Sequence, residues 1–167
     1  MRIQSRSLRG ALINISMNKS KKEWMRGLRE FKYDLALTLN FKADMPKAAA
    51  ICAARHFWNS VDIQVYGKTA VKKRGMRVPR VCALEGEAGL RNWHYHCGVV
   101  IPPEVKATPE LFMSQLKLRW EELREAGRFS KIERVYDNAG WKWYICKNAD
   151  VGGEQICLET SVFFSQA

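Results

Sequence analysis

Acidic residues are in short supply in this chain: 17 Asp and Glu stand against 28 Lys and Arg, a formal net charge of +11 over 167 residues. That imbalance argues against cationic partners and for a polyanion, nucleic acid first. Cysteines never form a CxxC pair, and the five present (positions 52, 82, 97, 146 and 157) are odd in number. A cysteine zinc site is therefore not expected, and the thiols read as free side chains of a reducing, cytoplasmic setting, mostly small core residues. No uninterrupted apolar run approaches the length of a membrane span, so no membrane partner is expected. The short apolar piece Ala11–Ile15 is broken by Asn14 and followed by Ser16 with no small-residue cleavage site, which argues against a signal peptide. What remains is enough chain for one well-cored domain and too little for two ordinary ones.

The positive charge is unevenly spread. Residues 1–33 carry nine Lys/Arg and two Glu, a net of +7, and form a basic extension with a helix around Lys21–Phe31. A second cluster, Lys68, Lys72, Lys73, Arg74, Arg77 and Arg80, contains no acid and reads as a flexible basic loop over Gly67–Arg77. Solvated surface charge is the plain alternative for either cluster. Together they favour DNA contacts, with duplex or hairpin backbone as the target.

The body of the domain, residues 34–167, follows a β-α-β-β-α-β-α-β order. Leu35, Leu37 and Leu39 alternate with Ala36, Thr38 and Asn40 in a first strand over Asp34–Phe41. Asp44-Met45-Pro46 signals a helix start, and an alanine-rich helix runs to about Ser60; Val61–Tyr66 either extends it or turns to strand. Val78–Glu87 and Trp93–Ile101 read as a hairpin around Gly89. A second long helix opens at Thr108-Pro109 with Phe112, Leu116, Trp120 and Leu123 as its buried stripe. Phe129–Tyr136 reads as strand, Asn138–Asn148 as a short helix, and Ile156–Phe164, after Gly152-Gly153, as a last strand. The fold class expected is α+β: an antiparallel central sheet of about five strands, helices mainly on one face, the other face left for a ligand.

Two clusters of residues suggest chemistry. His94-Tyr95-His96 puts two imidazoles on one face of a strand, roughly 6–7 Å apart along the chain, a spacing that lets both hold one metal ion. On the neighbouring hairpin strand Glu85 and Glu87 have the same parity, so both can reach that face; Glu85, deeper in the strand, is the favoured third ligand and Glu87 the alternative. Two imidazoles and a carboxylate leave coordination positions open, which suits a catalytic divalent metal. About fifty residues on, Tyr144-Ile145-Cys146-Lys147 offers a phenol nucleophile and a cation three residues apart, stacked on one face if helical. Lys147 can hold a phosphate or ease loss of the phenol's proton. Trp141 and Trp143 flank the tyrosine with Lys142 between them, rings for bases and a cation for the backbone, although core packing is the alternative for at least one ring. His56, mid-helix beside Phe57 and Trp58, is expected to be structural.

Taken together, these segments resemble the HUH endonucleases, in particular the single-tyrosine rolling-circle replication initiators. Leu37-Thr38-Leu39-Asn40 is similar to their first motif, His94-Tyr95-His96 to the metal motif with Glu85 upstream, and Tyr144–Lys147 to the Y-x-x-K catalytic motif. The likeness covers about residues 34–160. It implies an RRM/ferredoxin-like nuclease fold and Mg²⁺ or Mn²⁺ as cofactor. It also implies attack by Tyr144 on single-stranded or origin-hairpin DNA to leave a 5′-phosphotyrosine and a free 3′-hydroxyl. Positions 140 and 148, Gly and Asn, supply no second tyrosine. Gly67-Lys68-Thr69 has Asp62 where a P-loop needs glycine, so unwinding would fall to a partner helicase working with a polymerase. A transposase or relaxase shares this chemistry, and a non-catalytic RRM-like binding module is the reading from another class; the lack of an aromatic RNP1-like segment counts against the latter.

Overall fold

A computed structural model of the chain describes residues 21–87, 91–147 and 156–163. Residues 1–20, the Gly89 turn, Asn148, the Gly152-Gly153 pair and Phe164 lie outside these. The elements are α1 (Lys21–Gly27), β1 (Leu35–Asn40), α2 (Lys47–Tyr66), α3 (Lys68–Arg74), β2 (Arg80–Glu87) and β3 (Arg91–Val99). A 3₁₀ turn (Pro103–Val105), α4 (Pro109–Glu121), β4 (Lys131–Arg134) and α5 (Asn138–Ile145) follow. The fold is α+β, with four strands in one open antiparallel sheet of order β2-β3-β1-β4.

Alternation along the strands assigns the two faces. Leu35, Leu37 and Leu39 of β1 stand opposite Val99, Cys97 and Tyr95 of β3, and Cys82 and Leu84 of β2 continue the row. Against this face α2 presses Ala50, Ala54, Phe57, Trp58 and Val61, and α4 presses Phe112, Leu116 and Trp120, forming the main core. Burying side chains of this size stabilises the fold by roughly 1.5–3 kcal/mol each. Ala36, Thr38, Val81, Ala83, Glu85, His94, His96 and Gly98 face the other way. Leu28, Phe31 and Tyr33 join Val81, Ala83, Ile145, Cys146 and Ile156 in a second cluster. Residues 28–33 are thus packed into the same body as the sheet. Tyr33 lies so close over β3 that a Cβ on Gly98 would sit 2.7 Å from its ring.

Several expectations need correction. The basic segment after residue 67 is a helix. Val61–Tyr66 completes α2, Gly67 breaks the direction with φ 79°, and α3 follows with Ala70 and Val71 buried. Glycine is required at that break because few other residues adopt a positive φ. Among the described residues the sheet has four strands, since a turn at 157–161 interrupts the fifth (Thr160 and Ser161 N–H donate to the Cys157 carbonyl). Among the described residues, this segment adds isolated bridges along β2, Arg80–Val162 and Ala83–Ile156, and no ladder. The second face is not left wholly free, because α5 and residues 28–33 cover it except at the end where β1 and β3 carry Asn40 and His94.

Candidate active site

That uncovered end gathers the residues of interest. Antiparallel pairing sets Glu85 of β2 opposite His94 of β3, and Ala83 opposite His96, so all three polar side chains emerge on one face. The choice between Glu85 and Glu87 is settled by an irregularity. Gly86, at φ 139°, marks a β-bulge that shifts the register so that Glu87 pairs with Arg91. Glu87 is exposed, while the Glu85 side chain is buried. Its Oε2 lies 3.7 Å from His94 Nε2 and its Oε1 3.8 Å from His96 Nε2. Among the described residues, Glu85, His94 and His96 form the one group of His, Cys, Asp and Glu whose ligand atoms converge, all within 4.8 Å of one another.

The imidazoles are oriented from behind. His94 Nδ1 lies 3.2 Å from the Asn92 carbonyl, which only accepts, so Nδ1 is the donor of that contact and Nε2 is turned toward Glu85. His96 Nδ1 lies 3.2 Å from Thr38 Oγ1, an arrangement that also leaves Nε2 facing Glu85. Burial raises the affinity of Glu85 for a proton. The hydrogen bonds of His94 and Lys147 and the charges of His96 and Lys147 more than reverse this and hold its carboxyl at about 2. An ionised carboxylate and two Nε2 atoms that give up their protons to an incoming cation form a donor set that fits a divalent metal with open positions.

Tyr144 sits on α5, whose start is capped by Asp137 accepting from Gly140 N–H. Its ring meets His96 edge-on at 4.7 Å and stacks on Trp141 at 5.3 Å with planes 12° apart. Lys147 does not continue the helix; it lies in the turn beyond, its N–H donating to the Tyr144 carbonyl. That turn still carries its ammonium to 3.8 Å above the Tyr144 ring centroid and to 3.0 Å from Glu85 Oε2. Thr38, Asn40, Asn92, His94, His96 and Tyr144 line an open cleft of about 510 Å³.

The expected DNA contacts divide. Lys68, Lys72, Lys73 and Arg74 are exposed on α3. Arg80 is not available: it is buried, donates to Asp62, Val78 and Thr160, and its guanidinium covers Trp58. Arg77 binds the Val71 and Met76 carbonyls and Asp62. Lys142 points inward to the Arg29 carbonyl at 2.8 Å, and burial pulls its ammonium below the ordinary lysine range. Trp141 is half-buried with its indole N–H on the Cys97 carbonyl, whereas Trp143 is exposed with Lys21 Nζ 3.7 Å above its ring. His56 is exposed on α2. Sequence reasoning placed Thr38 and Asn40 in the first motif without a direct role and did not single out Asn92. Their signal is the β1–β3 register, which sets Thr38 beside His96 and Asn40 beside His94.

Among the described residues no helix is long and apolar enough to cross a membrane. The chain matches no protein-family model, no curated protein and no solved structure.

The Thr38 contact yields a direct test. Thr38→Val keeps the side-chain shape but loses the bond to His96 Nδ1, and support of this kind is worth about 10–100-fold in metal affinity. Calorimetric titration with Mn²⁺ should show that weakening with the melting temperature nearly unchanged; equal affinity would mean that Thr38 does not orient His96.

Proposed function

We propose that the protein is a divalent-metal-dependent nickase and strand transferase acting on single-stranded DNA, of the kind that starts rolling-circle replication. The observation that carries this reading is the place of Tyr144: a phenol on the lip of the cleft, ring against His96, with Lys147 bridging from its face to Glu85. The strand order β2-β3-β1-β4, with α2 and α4 as crossovers, is that of ferredoxin-like folds and supports the resemblance to HUH nucleases.

Glu85, His94 and His96 would hold Mg²⁺ or Mn²⁺, which supplies Lewis acidity to the scissile phosphate. The phenol oxygen of Tyr144 attacks phosphorus, the P–O3′ bond breaks, and the phosphate stays on Tyr144 as a 5′-phosphotyrosyl ester. The phenol gives up its proton and the departing 3′-oxygen gains one, so the step balances as a transesterification. The 3′-hydroxyl can then prime a polymerase, or attack the ester in reverse and rejoin a strand. Lys147 offsets charge developing on the phosphate, exchanging its contact with Glu85 for one with the substrate. Thr38 and Asn92 hold the two imidazoles in the orientation that turns both Nε2 atoms toward Glu85. Unwinding of duplex is left to a partner helicase.

The test is incubation of the full chain with a pool of labelled single-stranded oligonucleotides and Mn²⁺, followed by a denaturing gel. A covalent protein–DNA band that disappears on chelation is the expected result. Tight binding across the pool with no such band would replace the enzyme by a binding module.

A further inference from the structure

We propose that α3 is a separate docking surface for duplex DNA, gripping its phosphate backbone at the end of the sheet remote from the Glu85–His94–His96 cluster. The inference rests on the nickase reading only in taking DNA as the polyanion.

Charge distribution is the first observation. Some cations elsewhere on the surface sit in ion pairs: Lys117 with Glu121, Arg119 with Glu122, Arg124 with Glu125, Lys131 with Glu133 and Arg134 with Glu110. Others, such as Lys42, Arg55 and Arg128, are exposed outside any ion pair among the described residues. α3 differs in gathering four cations within seven residues with no acid among them. On α3, Lys68, Lys72, Lys73 and Arg74 are all exposed, and among the described residues none has an ion-pair partner. Helix stability does not account for them. The positive charges at residues 72–74 suit the negative end of a helix dipole, but Lys68 sits in the first turn, where a cation is disfavoured and no acid is present. Four like charges within seven residues repel one another, and a polyanion relieves that repulsion.

Rigidity is the second. Ala70 and Val71 are buried beneath α3. Arg77 Nη1 donates to the Val71 and Met76 carbonyls at 2.9 and 2.7 Å, closing the helix end, and Asp62 joins Arg77 to the buried Arg80. The two inward arginines thus fix the platform that the four outward cations occupy, and little order is lost on binding.

Placement is the third. Arg80 begins β2 and Glu85 lies five residues further along it, about 17 Å at the rise of a strand, or roughly five base pairs of B-form DNA. α3 itself packs against α2, whose buried side chains lie on the sheet face opposite the cluster, so a strand threaded through the cleft meets α3 only through a flanking stretch. Backbone contacts of this type carry affinity and register, not sequence.

Lys68→Gln, Lys72→Gln, Lys73→Gln and Arg74→Gln combined should be compared with the unaltered full chain by fluorescence anisotropy in metal-free buffer, on a short single strand and on the same strand with a hairpin flank. Each phosphate contact adds about 0.9 to the slope of log affinity on log salt. From about 50 to about 200 mM salt the unaltered chain should therefore lose on the order of 100-fold more affinity for the hairpin substrate than the variant does. Affinity for the short strand should be alike in both. Equal salt slopes on the hairpin substrate would overturn the proposal, as would an equal loss on the short strand, which would make α3 part of the cleft. Should the quadruple variant fold poorly, Lys68→Gln/Lys72→Gln is read the same way with about half the slope change. Salt-dependent hairpin docking, with no covalent product when the same hairpin substrate is incubated with Mn²⁺, sinks the nickase reading and leaves this one standing.

Discussion

Tyr144→Phe is expected to lower formation of the covalent protein–DNA product by about 10⁴–10⁶-fold, below detection on a denaturing gel, the scale seen when an enzyme loses its nucleophile. The substitution is sparing in every other respect. Phenylalanine keeps the edge-on contact with His96, the stack on Trp141 and the face beneath the Lys147 ammonium. Among the described residues the Tyr144 hydroxyl forms no hydrogen bond, so its removal leaves no buried group unsatisfied. Melting temperature and Mn²⁺ affinity should therefore stay at the values of the unaltered chain. A variant that still forms the product would exclude Tyr144 as the attacking group.

Asp62→Ala is expected to destabilise the fold by about 3–5 kcal/mol, the usual cost of removing one partner of a buried ion pair. Asp62 accepts from Arg80 Nη1 and Nη2 at 2.8 and 3.2 Å and from Val78 N–H at 2.8 Å, and its Oδ2 lies 3.4 Å from Arg77 Nε. Alanine would strand a buried guanidinium between α2 and β2 and release the end of α3. Urea denaturation should show the midpoint falling with the slope unchanged. A loss under about 1 kcal/mol would mean that the pair is neutralised by water or rearrangement instead.

The legible parts of the sequence were those governed by short-range periodicity. Alternation in 35–40 gave β1, and the His-x-His spacing gave two imidazoles on one face because a strand repeats every two residues. Pro46 and Pro109 marked the starts of α2 and α4. Long-range pairing was not legible. Glu85 and Glu87 are equivalent by parity, and only the bulge at Gly86 separates them. Asp62 and Arg80 are eighteen residues apart, so nothing local showed that one of six clustered cations was a core residue. Local composition also misread α3, where a run of cations hid a buried Ala70-Val71 pair. Lys147 reached Tyr144 by a turn rather than by helical stacking, a distinction that spacing alone does not contain.

The most direct measurement is mass spectrometry of proteolytic peptides from the protein after reaction with a single-stranded oligonucleotide and Mn²⁺. A nucleotide 5′-phosphate attached to the peptide that contains Tyr144, absent when His94 is replaced by Ala, is the predicted result. Attachment to any other residue, or free cleaved DNA with no modified peptide, would contradict the account.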